Sequence, residues 1–503
     1  MQDARLSRLA LLTLALVAVR IGSAFVVAQP GYTDAYYYAD VATRFARGLG
    51  LTADFVWSPI ELGALPVVSH RFWMPLATVL QGGGIAALGP MLGDFRGAQA
   101  AILVVAALVP PVTYVCARSL GAGARAALFA ASVVGLGGLF APAWVSLDGF
   151  APAALIGSLF FLALARAAGG DVRAGVLAGL LAGLLYLTRA EGALFGLALV
   201  ALVLRPASRA AGSAGAAIAL ALGGAWLIRD ASVGTPSDLL ARAALLVRYE
   251  EFFAVRSPTL DAFLAALPTV LAAKGGALVT NAITLLFAFA LVLVVPLAQG
   301  ARVLWTRFEV RAWVALALVI FLAQSLVFTL HSTRGSYFHS LGAFFPFGVA
   351  LAAAGGERLL SQRRPEMATA WTWGTLLLVG ALSGGALSQW DASFNTGARL
   401  RLAAVDAIPA GSFLAIDAAA WRWLTGRTVI VTPSDGVDAA ACAMSFADPH
   451  PTSLVLELAH FTSYDALYQG GPRPEWLGAP IERGDVKIFP VIGPPSVLCS
   501  VRR

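Results

Sequence analysis

Charge is scarce in this sequence. Asp, Glu, Lys and Arg make up 13% of it, about half the share in a soluble domain. The mean hydropathy is +0.78, and apolar runs of membrane-spanning length recur along most of the chain. Together these exclude an ordinary soluble enzyme and point to a polytopic membrane protein. Cysteine is rarer still, at three. Cys116, Cys442 and Cys499 form no C-x-x-C and no metal-ligand spacing. Cys442 and Cys499 fall in the polar tail, where a disulfide could form in an oxidising compartment. Basic runs are missing too. The formal charge of +7 contains no stretch of five basic residues, so nucleic acid is not an expected partner, and the basic excess reads as orientation in a bilayer. There is no D-x-D, no internal repeat and, in the tail, no Gly-rich phosphate loop.

Eleven apolar spans are expected. Leu9–Val27 follows two arginines, is long enough to cross and precedes no clean A-x-A cleavage site, so it reads as a retained first span. Arg20 within it is a costly intramembrane charge, explained by snorkelling to the outer interface or by a functional role. The others are Ala98–Cys116, Ala126–Ala141, Phe150–Leu164, Ala174–Leu187, Gly192–Leu204, Ala211–Ile228, Gly276–Leu297, Trp313–Leu330, Phe338–Ala354 and Ala368–Leu387. The short pair around Arg189 and Glu191 reads as re-entrant or tilted helices meeting inside protein. Arginines crowd alternate short loops: Arg118 and Arg125, Arg166 and Arg173, Arg205 and Arg209, then Arg302, Arg307 and Arg311, then Arg358, Arg363 and Arg364. Asp171, Glu309 and Glu357 oppose them. That bias places the N-terminus in the cytoplasm. The long segments 30–97 and 229–275, and the tail from Gln389, then lie outside.

The tail is a different kind of chain. "PAGSFLAIDAAAWRWLTGRTVIVTP" reads as strand, helix and strand, with Phe413–Ile416 and Thr428–Val431 flanking a helix closed by Gly426. "TSLVLEL" and "VKIFPVI" add two more strands. The expected organisation is an all-α transmembrane domain over 1–388 and a small α/β domain over 389–503, outside the membrane.

The densest polar cluster follows the first span. In "GYTDAYYYADVATRFARGLG", Thr33 or Asp34 is expected to cap a helix ending before Gly48. Tyr38, Val41, Ala42, Phe45 and Leu49 share one face of it, and Asp40, Arg44 and Arg47 the other. That pattern suits an amphipathic helix lying in the interface plane, with Asp40 and Arg44 as an i,i+4 ion pair. "SHRFWMPLATVLQGGG" reads as a second in-plane segment, interrupted by glycine.

This arrangement resembles the GT-C superfamily of integral-membrane glycosyltransferases, in particular the branch of protein O-mannosyltransferases and lipid A aminoarabinose transferases. The likeness runs through "TDAYYYADVATRFARGLGL", "HRFWMPL", "SLDGFAPAALIGSLFFLALARA", "GLLAGLLYLTRAEGALF", the loop from "IRDASVGTPSDLL" to "VRYEEFF", and the tail. It departs where the first loop has one aspartate followed by alanine, not the paired Asp-Glu of the protein mannosyltransferases. The resemblance implies inverting transfer of a sugar from a polyprenyl-phosphate carrier to an acceptor at the outer membrane face. By position Asp34 matches the family's catalytic base, whose rival reading is a helix cap. Asp148, in the next short external loop, would assist the base, hold a divalent metal, or cap the fourth span.

The leaving lipid phosphate needs cations in a low-dielectric pocket. Arg189 stands out, since a charge that deep in apolar sequence is functional or paired, and Glu191 is the group that could neutralise it. "HSTRGSYFHS" adds His331 and Arg334 at the outer end of the ninth and tenth spans, with His339 expected to pack inside the tenth. His70 and Arg71 are further candidate donors to phosphate or sugar, or else interfacial anchors like Trp73. The alternative function class is a transporter or flippase of polyprenyl-linked lipid, against which stand the absence of paired repeats and the large external loop. A non-catalytic scaffold would leave the buried charges without a role.

Overall fold

The computed structural model describes residues 2–62, 64–234, 239–361 and 365–493. It is mostly helical and divides into two compact units. The first comprises Met1–Ala28, Trp73–Thr235 and Lys274–Asp391; the second comprises Gln29–Phe72, Pro236–Ala273 and Ala392–Arg503. Cys499 lies outside the described residues.

The first unit is helical throughout. Among the described residues, seven helices are long and apolar enough to cross a membrane, or eight if Thr329–Leu341 and Phe345–Leu360, bent by 62°, form one crossing. The chain is a multi-pass membrane protein. Besides Phe338–Ala354, which straddles that bend, four of the expected spans take other forms. Ala126–Ala141 becomes the helix Ala124–Leu136, only 13 residues long and largely buried, and Ala174–Leu187 becomes the 17-residue helix Val172–Thr188. Gly192–Leu204 splits into a 3-10 segment, Ala190–Phe195, and the helix Gly196–Val203. Gly276–Leu297 breaks after Leu267–Ala288, where Ala290 and Leu291 have φ of 50° and 57°, and restarts at Val294–Val303. Short or broken helices are tolerated at membrane depth where protein surrounds them.

Small residues set how closely these helices approach. A Cβ on Gly175 would meet the carbonyl of Ala211, and one on Gly179 that of Gly215, so Val172–Thr188 and Arg209–Ser232 cross backbone to backbone. The glycines expected to interrupt the "HRFWMPL" segment lie inside the helix Leu76–Leu92. There Gly84 sits against the backbone of Gly97, on the helix Asp94–Ser119. Arg20 does not snorkel. It is 2% exposed, its Nη2 donates to the Val134 carbonyl at 3.2 Å, and its guanidinium lies 5.4 Å from the Trp144 ring centre. Both a helix C-terminus and an aromatic face favour a cation.

The second unit contains the sheets. Its strands are β1 (Thr52–Ala53), β2 (Phe55–Val56), β3 (Val67–Val68), β4 (Ser412–Ala415), β5 (Val429–Val431), β6 (Pro451–Leu456), β7 (Ile481–Arg483) and β8 (Val486–Pro490). β1 and β3 form an antiparallel pair; the others form one sheet in the order β2-β5-β4-β6-β8-β7. The tail strands fall where the apolar runs place them, and Gly426 ends the helix Ala418–Thr425 in the left-handed conformation, φ 67°. β2 is the addition, pairing in parallel with β5 through Phe55↔Val429 and Val56↔Ile430. The unit thus takes strands from the first loop as well as from the tail.

The helix Thr33–Ala46 departs from its expected character. Its N-cap is Tyr32, with no side-chain cap, so neither Thr33 nor Asp34 plays that part. All residues from Ala35 to Thr43 are buried, so it is a core helix, not one with a wet face. It packs against Ala418–Thr425. Asp40, 6% exposed, pairs with Arg422 at 3.3 Å in place of the expected Arg44, while Arg44 reaches Asp54 at 3.9 Å. Arg422 also contacts Asp54 at 3.4 Å. A second bridge runs from Arg401 to Asp417 at 3.4 Å and Glu457 at 2.8 Å. The helical period recorded the apolar residues; it could not record that the tail brings the arginine that allows Asp40 to be buried.

Candidate functional site

In the first unit the sequence between helices supplies the charges. The helix Val172–Thr188 stops at Arg189, whose backbone is extended at φ −154° before Ala190–Phe195 turns. That stop projects a guanidinium from the junction of two short apolar helices. Its Nε donates to Glu191 Oε1 at 2.5 Å. Its Nη2 donates to Ser336 Oγ at 3.3 Å, and Nη1 lies 3.1 Å from His339 Nδ1. Arg189 and Glu191 are each less than a fifth exposed, so the pair is sheltered without being sealed.

Asp148 reaches the same place from another element. It lies in "WVSLDGF", ahead of the helix Phe150–Ala167, and is fully buried. One carboxylate oxygen accepts from the Gly149 N–H, and the other lies 3.3 Å from His339 Nδ1. The His339 ring packs 4.2 Å from the Phe150 ring, centre to centre. One nitrogen cannot both accept from Arg189 and donate to Asp148, so the imidazole chooses its partner by tautomer. Behind Glu191, Ser340 Oγ donates to Oε1 at 2.6 Å, and Gln324 Nε2 donates to Ser340 Oγ at 3.2 Å.

Asp148, Arg189 and Glu191 are thus brought together by three elements. His339 joins them through its ring nitrogen while its ring packs on Phe150. Arg334 is exposed on the turn Ser332–Ser336, where Gly335 takes φ 113°, and His331 closes the short helix before it. Asp148 Oδ2 and His339 Nδ1 are atoms of this cluster that could serve a divalent cation. Sequence reasoning passed over Ser336, Ser340 and Gln324. The available signal was the spacing of Ser336, His339 and Ser340 in "SYFHS", which puts three polar groups on one helical face.

Asp34, His70 and Arg71 belong to the second unit. Asp34 is in the first turn of Thr33–Ala46 and half-buried. His70 is fully buried with φ 61°, a strained conformation for a residue with a Cβ. Its N–H donates to Tyr37 Oη at 2.6 Å, and its ring stacks on Tyr38. Arg71 acts on Glu61: burial pushes that carboxyl up to about 7, against the pull of Arg71 and a hydrogen bond from Trp57. Burial likewise raises Asp40 above the usual carboxylate range, opposed by Arg422 and Arg44.

No protein-family model matches the sequence, and no curated protein matches it. Solved structures do. The aminoarabinose transferase ArnT of Cupriavidus metallidurans in the apo state superposes with a TM-score of 0.60 at 14% identity, covering 95% of this chain and 97% of that one. A second ArnT structure holds undecaprenyl phosphate (TM-score 0.57, 14% identity, 95% of this chain and 97% of that). The apo oligosaccharyltransferase of Archaeoglobus fulgidus gives 0.57 at 16% identity, over 90% of this chain and 69% of that one. These neighbours are GT-C glycosyltransferases, and the chain has their fold.

Proposed function

We propose that this GT-C chain is an inverting glycosyltransferase that passes a sugar from a polyprenyl-phosphate carrier to an acceptor at the outer face of the membrane. The observation that carries the reading is Arg189. Its Nε is committed to Glu191, while its terminal nitrogens rest on a hydroxyl and an imidazole at 3.1 to 3.3 Å. The terminal N–H groups of a planar cation suit the oxygens of a phosphate. The undecaprenyl phosphate held by ArnT is a carrier of that chemistry.

In the proposed reaction the acceptor's hydroxyl or amine attacks the anomeric carbon and its proton passes to Asp34 as general base. The bond from that carbon to the phosphate oxygen breaks, and the polyprenyl phosphate leaves with the electron pair. Arg189 receives the developing charge, in a sheltered site where it is worth more than in water. Asp148 assists through His339. Arg334, His331, His70 and Arg71 are proposed as further contacts to donor or phosphate. The arginine-rich short loops support a cytoplasmic N-terminus and an extracytoplasmic tail.

The test is turnover in nanodiscs with polyprenyl-phosphate mannose, glucose and arabinose-type donors, reading release of polyprenyl phosphate. Asp34→Asn and Arg189→Gln are each expected to lower the rate by at least about a hundredfold. Undiminished turnover in Asp34→Asn would move the base to another carboxylate, Asp148 first. Movement of the carrier across the bilayer without turnover would assign the chain to the flippases.

A further inference from the structure

Arg189 is held by more than its ion pair. Glu191 Oε1 accepts from Arg189 Nε at 2.5 Å and, from the other side, from Ser340 Oγ at 2.6 Å. Ser340 in turn accepts from Gln324 Nε2 at 3.2 Å. Gln324 and Ser340 are each 4% exposed, one on Phe308–Leu326 and the other on Tyr337–Leu341. The order of donors has one direction. Gln324 has amide hydrogens to give, Ser340 accepts one and directs its own between Glu191 Oε1 at 2.6 Å and the Ser336 carbonyl at 3.0 Å, and the carboxylate can only accept. Exchanging the partners would leave two acceptors facing each other.

Gln324 makes this bond at a cost. Its other amide atom, Oε1, is buried and finds no donor among the described residues. A half-satisfied buried amide destabilises its surroundings by roughly 1–3 kcal/mol, and an apolar residue of the same length would avoid that. Packing alone therefore does not account for glutamine here, whereas aiming Ser340 does.

We infer that Gln324 and Ser340 are positioning residues that hold Glu191, and through it Arg189, so that the terminal guanidinium nitrogens face an incoming phosphate. The inference rests on the phosphate role proposed above. With Oε1 fixed by the serine, the guanidinium plane is set by its Nε bond, and the terminal nitrogens exchange Ser336 and His339 for phosphate oxygens without rotating. Without the serine, Glu191 is free to slide along the guanidinium edge and compete for those nitrogens.

Two readouts on the full-length protein test this. The first needs no ligand: in protein labelled with 15N-arginine, the Arg189 Nε–H resonance is identified by its loss in Arg189→Lys. It is expected to be shifted and exchange-protected in wild type and in Ser340→Thr, and to lose both properties in Ser340→Ala and Gln324→Leu. The second is affinity for undecaprenyl phosphate, expected to fall about tenfold in Ser340→Ala, to recover in Ser340→Thr, and to fall no further when Ser340→Ala is added to Glu191→Gln. Unfolding temperatures of the variants separate this from simple loss of structure. A resonance and an affinity both unchanged in Ser340→Ala overturn the positioning role while the phosphate role stands. A resonance that responds as expected in a protein that binds no carrier upholds the positioning and removes the phosphate reading. Losses that multiply with Glu191→Gln would show that Ser340 acts by another route, and the inference fails.

Discussion

Glu61 shows what burial does to one carboxyl. It is 6% exposed, and its pKa is raised from 4.5 to about 7. The folded state therefore binds the proton more tightly than the unfolded one. The stability this contributes is fully present below about 4.5 and is lost as pH rises through 7. At about 1.4 kcal/mol per pH unit the swing is roughly 3 kcal/mol. Glu61→Gln is expected to melt near wild type at pH 5 and above it at pH 8, with thermal unfolding at the two pH values as the measurement. A difference independent of pH would mean that Glu61 is ionised throughout. Residues of this kind differ in how readily the sequence discloses them. Arg189, Glu191 and Asp148 could be picked out because a charge within apolar sequence has few innocent explanations. Gln324 and Ser340 could not: an uncharged polar residue in a span is common, and only the fold shows that their hydrogen bonds point at Glu191.

Among elements, the strands β4, β5, β6 and β8 and the Gly426 stop were legible because a short apolar run and a left-handed glycine are local signals. β2 was not, since two residues carry no period and its partner β5 lies about three quarters of the chain away. The helix Thr33–Ala46 was misread for a related reason, its polar face being covered by a segment from the tail. Arg422→Leu should expose the dependence. It leaves Asp40 buried without its arginine, a loss of about 3 kcal/mol, read as a lower unfolding temperature that Asp40→Asn in the same chain partly restores. Among the helices, Gly179→Leu is expected to destabilise the crossing with Arg209–Ser232 by about 1–3 kcal/mol, since a side chain there meets the Gly215 backbone. Unfolding in detergent measures it, and Gly224→Leu, where nothing lies within 4 Å, is the control.

At the scale of the whole molecule, the expected division at 388/389 becomes two units, each assembled from three chain segments. Residues 389–503 alone would lack β2, the helix Thr33–Ala46 and Asp40 and Asp54, the carboxylates that Arg422 contacts. Expressed by themselves they are expected to be poorly protected in amide exchange and prone to aggregate through the bare edge of β5. Co-expression with residues 29–72 should recover protection in β5. A tail that folds unaided would show that the contributed strand is an accessory.

The pairing of β2 with β5 also sets a clock. Phe55 emerges during synthesis long before Val429 exists. At 5–20 residues per second, the interval before its partner appears is roughly 20–75 seconds. Throughout that interval the short strand and the helix Thr33–Ala46 ahead of it have no tail to pack against. A nascent chain arrested before residue 429 is thus a different substrate for chaperones and proteases from one arrested just after 431. Cells slowed in translation would lose this protein through its earliest loop, while its membrane helices are still being made.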